Sequence, residues 1–174
     1  MRILGIDPGT AQSAYCLIDG GRPLDWDILP NAQLADKIAS MESAFVDVLA
    51  IEWVSFYGKE IHAGSETFDT CRWVGHFERA WNDRGTSILI PRRQVKSELC
   101  GTQKAGDAEV RAILIDRYGG KERAIGRKAT PGPLYGIASH VWSALAVALT
   151  YADRQAVPSK PTAARIVEDA DVPF

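Results

Sequence analysis

The sequence predicts an α/β domain built on a five-stranded mixed sheet, in which three antiparallel strands precede two parallel strands and helices flank the sheet. One observation is an apolar, β-branched run from Ile3 to Ile6, which is typical of a buried strand. The other is the order of the next segments, two strand-like segments, a helix and a fourth strand. Because a helical crossover is right-handed and returns a parallel strand, strands one and four are expected to be neighbours.

The other elements of the first half follow from alternation, turn residues and helical spacing. Residues 14–18 predict the second strand, Asp19-Gly20-Gly21 a hairpin turn, and residues 24–29 a third strand whose polar alternation suits a sheet edge. A helix is expected from residue 32 to about residue 45, with these apolar residues at helical spacing: Leu34, Ile38, Met41 and Phe45. Residues 46–54 predict the fourth strand.

The second half begins with a long amphipathic helix. Ser65 is expected to cap it, and it runs to about residue 84. Its predicted core face carries Phe68, Cys71, Val74, Phe77 and Trp81. The fifth strand covers residues 86–90 and ends at Pro91, and the short helix after it is expected to stop at Gly101.

The last third of the chain predicts two more helices and a tail. One helix leads from about Asp107 to residue 118, and the other covers residues 137–153, with a Gly- and Pro-rich loop over 119–135 between them. These boundaries give one domain over residues 1–153. Residues 154–174 combine Pro, Ser and mixed charge with little periodicity, and they predict a loose C-terminal tail.

Composition narrows the class of protein. A chain of 174 residues with 46% hydrophobic and 24% charged residues is typical of one soluble globular domain with a substantial core. No window approaches a membrane span, and the N-terminus opens in a strand, so we expect no membrane partner. The three cysteines have no metal-ligand spacing and fit reduced thiols in a cytoplasmic protein: Cys16, Cys71 and Cys100.

The charge distribution is uneven although the net charge is only −2. Residues 1–91 hold 7 Lys and Arg against 13 Asp and Glu, whereas residues 92–128 hold 10 against 5. A basic stretch of this kind can follow a phosphate backbone, and it can equally be a solvated helical face. Charge alone leaves both interpretations open.

Asp7 ends the first strand, where Pro8 and Gly9 force a turn. An acid at the end of a buried strand is costly unless a cation neutralises it, and a bound metal is the usual cation. Asp7 is therefore predicted to be a metal ligand, the alternative being that it only caps the Pro-Gly turn. Glu52 lies near the end of the fourth strand, so the predicted topology lets both acids converge.

The segment from Ser55 to Ser65 predicts a loop with two aromatic residues, Phe56 and Tyr57, and with Lys59. Aromatic side chains beside a metal site can stack on nucleic-acid bases or wedge between them. The alternative is that both rings fold back onto the core. The sequence does not decide between them.

Both ends of the chain resemble one known family. Residues 3–10, Ile-Leu-Gly-Ile-Asp-Pro-Gly-Thr, resemble the opening of RuvC-type Holliday-junction resolvases of the RNase H-like superfamily. A related turn occurs in actin-like ATPases, but these need two such domains, so the length disfavours them. Residues 139–149 are similar to the C-terminal signature of the resolvases, in which two metal-binding side chains three residues apart open a helix. The matching positions are His140 and Ser143, and the serine departs from the usual acid.

The middle of the chain is also similar to the resolvases, whose lysines in this segment approach the scissile phosphate. The matching residues are Val95-Lys96, Gly101, Lys104-Ala105 and Val110. One of the family's lysine positions is Asp107 here. Either charge stabilisation passes to Lys96 or Lys104, or Asp107 is a metal ligand that compensates for Ser143, unless it simply caps its helix. The Gly-Pro-Leu-Tyr-Gly segment over 132–136 and the Val141-Trp142 pair resemble the phage-encoded branch.

The resemblance implies a Mg²⁺-dependent DNA endonuclease that resolves four-way junctions by paired symmetric nicks. Two ions per site, replaceable by Mn²⁺, would hydrolyse the phosphodiester bond, with Asp7 bridging them and Glu52 and His140 each holding one. The catalytic set also includes Asp107 and Lys96. The residues expected to contact DNA are Phe56, Tyr57, Lys59, Arg92, Arg93, Lys96 and Lys104.

Paired nicks imply a homodimer, although the sequence does not indicate its surface. The resemblance to phage proteins implies action in a bacterial host cytoplasm. The alternatives are a broader branched-DNA nuclease and a junction-binding protein that has lost hydrolysis with its fourth acid. They differ in whether the protein cuts DNA, and which DNA it cuts.

Overall fold

A computed structural model describes residues 1–42, 45–54, 64–82 and 84–156, and its centre is a five-stranded sheet. The strands are β1 (Arg2–Asp7), β2 (Gln12–Asp19), β3 (Arg22–Pro30), β4 (Val48–Trp53) and β5 (Thr86–Pro91). Their order in the sheet is β3-β2-β1-β4-β5. β1 pairs with β2 and β2 with β3 in antiparallel fashion, whereas β4 is parallel to both β1 and β5. The predicted mixed sheet, with the third strand at its edge, is confirmed.

Helices cover both faces of this sheet. They are α1 (Asn31–Ser40), α2 (Ser65–Trp81), α3 (Arg92–Cys100), α4 (Asp107–Arg117), α5 (Lys121–Ala124) and α6 (Val141–Ala156). One buried apolar cluster joins α1 and α2 to one face of the sheet, and the other joins α3, α4 and α6 to the opposite face. None of the helices in the described part of the chain is long and apolar enough to cross a membrane.

Side-chain alternation decides which face the strand ends present. Ile3 packs in the α6 cluster, and Leu4 and Ile6 pack in the α1–α2 cluster. On β4, Val48 and Ala50 belong to the α6 cluster. Since side chains alternate along a strand, Asp7 and Glu52 share the α6 face. The register of β1 with β4, in which Ile6 pairs with Ile51, then brings the two acids level with each other.

Helix α6 lies unusually close to β1. A Cβ atom added to Gly5 would lie 2.1 Å from the carbonyl oxygen of Ala144 and 2.9 Å from Cβ of Ala148. Only glycine opposite small residues permits this approach. The contact fixes the start of α6 against the strand that ends at Asp7.

Two helices are shorter than predicted. α1 ends at Ser40 because the Arg84 guanidinium donates hydrogen bonds to the carbonyl oxygens of Ile38 and Ala39, capping the C-terminus in place of another turn. Phe45 therefore lies outside the helix, and it is 45% exposed. α2 ends at Trp81 and is followed by Asn82 in the left-handed conformation.

The predicted core face of α2 is partly wrong. Its buried residues are Thr70, Val74, Phe77 and Trp81, which recur at intervals of four, three and four. Phe68 precedes this stripe by two positions, which turns it to the other side of the helix, and it is 64% exposed. Gly64 takes the N-cap position predicted for Ser65, which is the first helical residue.

The segment 119–135 is not a plain loop, and the last helix is displaced from its prediction. The segment contains α5 and a small antiparallel ribbon of β6 (Gly126–Arg127) and β7 (Thr130–Pro131). Ala124 and Leu134 are buried, and the Leu134 N–H donates to the Ala124 carbonyl oxygen at 2.7 Å. α6 runs from Val141 to Ala156, so it starts about four residues later than predicted and continues into the expected tail.

Candidate active site

Asp7 projects from the end of β1 toward the residue that precedes α6. Its side chain is 13% exposed, and Oδ2 lies 3.0 Å from Nδ1 of His140, whose side chain is 70% exposed. Burial raises the pKa of the Asp7 carboxyl, while His140, Arg92 and Ser143 act in the opposite direction. A buried acid thus meets an open, solvent-facing imidazole.

Glu52, near the end of β4, is only 8% exposed and meets a different partner. Nη1 of Arg92 donates to Oε1 at 2.9 Å and to Oε2 at 2.7 Å. Burial and the neighbouring Asp7 charge raise the pKa of Glu52 to about 7, and Arg92 opposes that rise. Glu52 is therefore a buried acid that is already paired with a permanent cation.

Arg92 connects this acid to two further side chains. It is the first residue of α3, immediately after β5 ends, so its guanidinium lies at the same edge of the sheet as Glu52. Nη1 also donates to Oγ of Ser143 at 3.2 Å, and Nη2 donates to Oδ1 of Asp107. One guanidinium thereby links β4, α4 and α6.

Asp107 is the first residue of α4, and its predicted alternative role as the helix cap is wrong. Gly106 occupies the N-cap, and the Glu109 carboxylate accepts a hydrogen bond from the Gly106 N–H at 2.6 Å. The Asp107 side chain is 79% exposed, which leaves its carboxylate available to Arg92. The hydrogen bond from Arg92 lowers the pKa of Asp107.

The predicted basic residues fall into two groups. Arg93 and Lys96 line a cavity of about 370 Å³ together with Asp7, Glu52 and Arg92. Lys104 is exposed in the connection between α3 and α4 and does not line that cavity. Three predicted DNA contacts lie outside the described residues: Phe56, Tyr57 and Lys59.

The pairing of Arg92 with Glu52 and Asp107 was not predicted from the sequence. The basic composition of its segment predicted phosphate contacts for Arg92 instead. The signal was its position directly after the strand that neighbours β4, because the carboxyl ends of parallel strands meet at one sheet edge. The same reasoning that brought Glu52 to Asp7 would have brought Arg92 to Glu52.

The donor chemistry of the cluster fits a hard divalent cation. Asp7, Glu52 and Asp107 supply carboxylate oxygens and Ser143 a hydroxyl, which are ligands that Mg²⁺ and Mn²⁺ accept, and His140 adds an imidazole. Two of the carboxylates already converge on one positive group. The donor types suit such an ion but are not gathered around one point: in the described ranges, no group of three or more His, Cys, Asp or Glu side chains is arranged so that it could hold an ion, and Arg92 stands between Glu52 and Asp107.

Comparison with known proteins gives structural neighbours only. No protein-family model matches the chain, and no curated protein matches it. A structure of RuvC from Thermus thermophilus is 22% identical, with a TM-score of 0.62 over 90% of this chain and 97% of that chain. T. thermophilus RuvC in complex with Holliday junction substrate is also 22% identical, with a TM-score of 0.65 over 89% of this chain and 94% of that chain. The mixed sheet and its flanking helices therefore form an RNase H-like fold of the RuvC type.

Proposed function

We propose that this protein is a divalent-metal-dependent endonuclease that cleaves branched DNA, with four-way junctions as its main substrate. The observation that carries the proposal is the convergence of Asp7 and Glu52 at one edge and on one face of the sheet, with His140 against Asp7. The structural neighbour bound to a Holliday junction supports the choice of substrate. Because a fold hosts many activities, the side chains carry more weight than the fold.

Asp7, Glu52, His140 and Asp107 are the residues that would hold two Mg²⁺ ions, or Mn²⁺ in their place. Bound there, the ions would activate water and stabilise the leaving oxygen of a phosphodiester. His140 faces solvent beside Asp7, so its imidazole is positioned to take or give a proton at that edge of the site. Lys96 lines the cavity shared with both buried acids and would stabilise charge on the phosphate.

The DNA backbone would follow the basic segment on the α3 side of the site. Arg93 and Lys96 line the cavity at the acids, and Lys104 lies exposed beyond α3. Phe56, Tyr57 and Lys59 would contact bases and phosphate near the crossover. Since phosphate contacts release counterions, binding is expected to weaken steeply with salt.

Symmetric resolution of a junction requires two active sites, so we propose a homodimer with twofold symmetry. Its place of action would be the cytoplasm, in keeping with three free cysteines, and a phage-encoded origin is proposed from the sequence resemblance alone. The nuclease domain, predicted over residues 1–153, would extend to the end of α6 at Ala156, and the residues that follow would form a tail.

A junction-binding protein without hydrolysis is the second candidate. Ser143 replaces an acid expected at that position, and its hydroxyl accepts a hydrogen bond from Arg92 instead of adding negative charge. A site with one acid fewer would hold the ions more weakly. This candidate predicts tight junction binding that is independent of Mg²⁺ and is never followed by nicking.

Cleavage of a labelled four-way junction at low salt tests the proposal. The parent protein with Mg²⁺ is expected to nick opposing strands symmetrically, and Asp7→Asn is expected to bind the junction but to lose about a thousandfold in cleavage rate. Asp153→Asn removes a carboxylate from a distant salt bridge with Arg117 and serves as the matched control. A linear duplex and a replication fork run beside the junction.

Each outcome selects one candidate. Symmetric nicks by the parent and by Asp153→Asn, but not by Asp7→Asn, support the resolvase. Equal cleavage of forks and junctions indicates a broader branch nuclease. If the parent binds the junction and never cuts it with Mg²⁺ or Mn²⁺, the binding protein replaces the nuclease.

A further inference from the structure

The cluster of acids contains its own cation. Arg92 contacts both oxygens of Glu52, one oxygen of Asp107 and the hydroxyl of Ser143. A guanidinium keeps its charge at every pH at which the protein is folded, and its fork suits two acids at once. The side chain of Glu52 is only 10% exposed, whereas that of Arg92 is 30% exposed, so the acid is largely shielded from water and the guanidinium stays partly open to it.

Arg92 also stands between two cavities. One, of about 370 Å³, is lined by Asp7, Glu52 and Arg92. The other, of about 350 Å³, is lined by Arg92, Asp107, His140 and Ser143. The guanidinium therefore has open space on both sides.

We propose that Arg92 is a resident cation of this site, which leaves the carboxylates when divalent ions bind, so that metal loading is an exchange of a guanidinium for the ions. The proposal rests on the metal dependence proposed above. It adds a role for a residue that composition alone assigns to the DNA backbone.

Distances show why Arg92 would compete with an ion that chelates Glu52. Nη1 of Arg92 lies 2.9 and 2.7 Å from the two oxygens of Glu52, so it occupies the edge of the carboxylate between them. Magnesium binds carboxylate oxygens at about 2.0–2.1 Å. A guanidinium nitrogen and an ion on the same edge of one carboxylate would overlap and repel each other. Either the ion or Arg92 can occupy that edge.

The exchange links the metal site to phosphate binding. Once off Glu52 and Asp107, the guanidinium is a free donor beside a cavity also lined by Arg93 and Lys96. Phosphate oxygens are the partners that such a group prefers. Because coupling between two ligands is reciprocal, DNA phosphate that captures Arg92 would also tighten metal binding.

Calorimetric titration of the DNA-free protein with Mn²⁺ measures the competition without any turnover. Arg92→Gln removes the resident cation and is expected to bind Mn²⁺ about tenfold more tightly than the parent, since the ion no longer displaces charge-assisted hydrogen bonds. Lys96→Gln is the charge control, because Lys96 lines the same cavity and leaves the Arg92 contacts in place. It is expected to change affinity by less than about threefold.

A second measurement on the parent protein guards against a variant that folds poorly. In protein labelled with ¹⁵N-arginine, the side-chain signals of Arg92 should report hindered rotation of the guanidinium without metal and free rotation at saturating Mg²⁺. Mg²⁺ takes the place of Mn²⁺ in this measurement because it is diamagnetic. Arg117, which donates to both oxygens of Asp153 far from the site, provides an unchanged reference.

The outcomes separate this inference from the proposed function. Tighter binding in Arg92→Gln alone, with release of the Arg92 signals, supports the exchange. Equal tightening in Lys96→Gln, weaker binding in Arg92→Gln, or Arg92 signals that Mg²⁺ leaves unchanged would overturn it while metal dependence stands. If neither the parent nor any variant binds Mn²⁺ or Mg²⁺, both the exchange and the metal-dependent nuclease are rejected.

Discussion

Asp7 and Glu52 terminate neighbouring parallel strands on the same face of the sheet, yet their surroundings differ. Asp7 faces His140, an exposed imidazole that lies directly before the start of α6. Glu52 faces Arg92, a permanent cation held by the start of α3. Two acids that the topology makes equivalent are thus controlled by different helices.

The two acids therefore differ in their access to solvent and in the group that neutralises their charge. The Asp7 side meets solvent through His140, whose side chain is 70% exposed, although the side chain of Asp7 is only 13% exposed. The Glu52 side is closed by two hydrogen bonds from one guanidinium nitrogen. The comparison predicts that changes to the packing of α6 act mainly on the Asp7 side, and that changes to Arg92 act mainly on the Glu52 side.

The largest expected effect comes from Gly5→Ala, which disrupts the surroundings of Asp7 by displacing α6. The new Cβ would lie 2.1 Å from the carbonyl oxygen of Ala144, so α6 must move off β1. We expect a loss of about 3 kcal/mol in the free energy of unfolding, which thermal denaturation would register as a drop of about 10 °C. The movement would also draw His140 away from Asp7.

Gly75→Ala is the matched control for that change. Gly75 lies in α2, and nothing stands within 4 Å of an added Cβ. Alanine is the better helix former there, so stability should rise by about 0.5–1 kcal/mol. A Gly5→Ala protein as stable as the parent would show that the close contact of α6 with β1 does not fix the Asp7 side.

The next largest effect is a dependence of stability on pH that arises from Glu52. The pKa of Glu52 is raised to about 7 from an ordinary value of 4.5, mainly by burial, so the folded protein binds this proton more tightly than the unfolded chain. Its contribution is most favourable below pH 4.5 and declines as the pH rises to about 7. The metal-free protein should therefore lose on the order of 2–3 kcal/mol between pH 5 and pH 8.

Glu52→Gln tests this dependence by thermal denaturation in a metal chelator. The variant should lose most of the difference in stability between pH 5 and pH 8. Asp153→Asn is the control, because it removes a carboxylate that pairs with Arg117 away from Glu52 and Arg92. An unchanged pH dependence in Glu52→Gln would mean that another group causes it.

The convergence of Asp7 and Glu52 could be predicted from the sequence because backbone rules determine it. Alternation along strands and the right-handed crossover follow from local pattern and chain order, and the structure has the predicted sheet. The end of α1 could not be predicted in this way, since it depends on Arg84, a residue more than 40 positions away. The partners of Arg92 likewise depend on where a long side chain reaches across three elements.

Short elements and single faces were harder to predict for a related reason. The segment 119–135 holds a four-residue helix and two-residue strands, which are too short to show periodicity. Phe68 matched an apolar helical face in the sequence, but the stripe that starts at Thr70 is the one that packs. Tertiary packing, which the helical pattern of the sequence does not encode, decides that Thr70 is buried and Phe68 is exposed.

The smallest expected effect concerns Ser143, which lies between the two sides. Its hydroxyl accepts one hydrogen bond of 3.2 Å from Arg92, and it opposes the rise that burial causes in the pKa of Asp7. Ser143→Ala removes a single bond from a guanidinium that keeps its stronger partners, so we expect a loss below about 1 kcal/mol in stability and a change below about threefold in Mn²⁺ affinity.

Ser143→Asp gives that position the acid expected from the resemblance and decides what the serine means. A new carboxylate there adds an oxygen ligand for the ions, but it also gives Arg92 another partner to leave. If ligand number dominates, calorimetry should show Mn²⁺ affinity rising by about three- to tenfold, and junction cleavage should rise with it. If the resident cation dominates, affinity should stay level or fall, and adding Arg92→Gln to Ser143→Asp should restore the gain. If Mn²⁺ affinity rises equally with and without Arg92, the number of ligands alone explains the effect of the residue at position 143, and Arg92 takes no part in it.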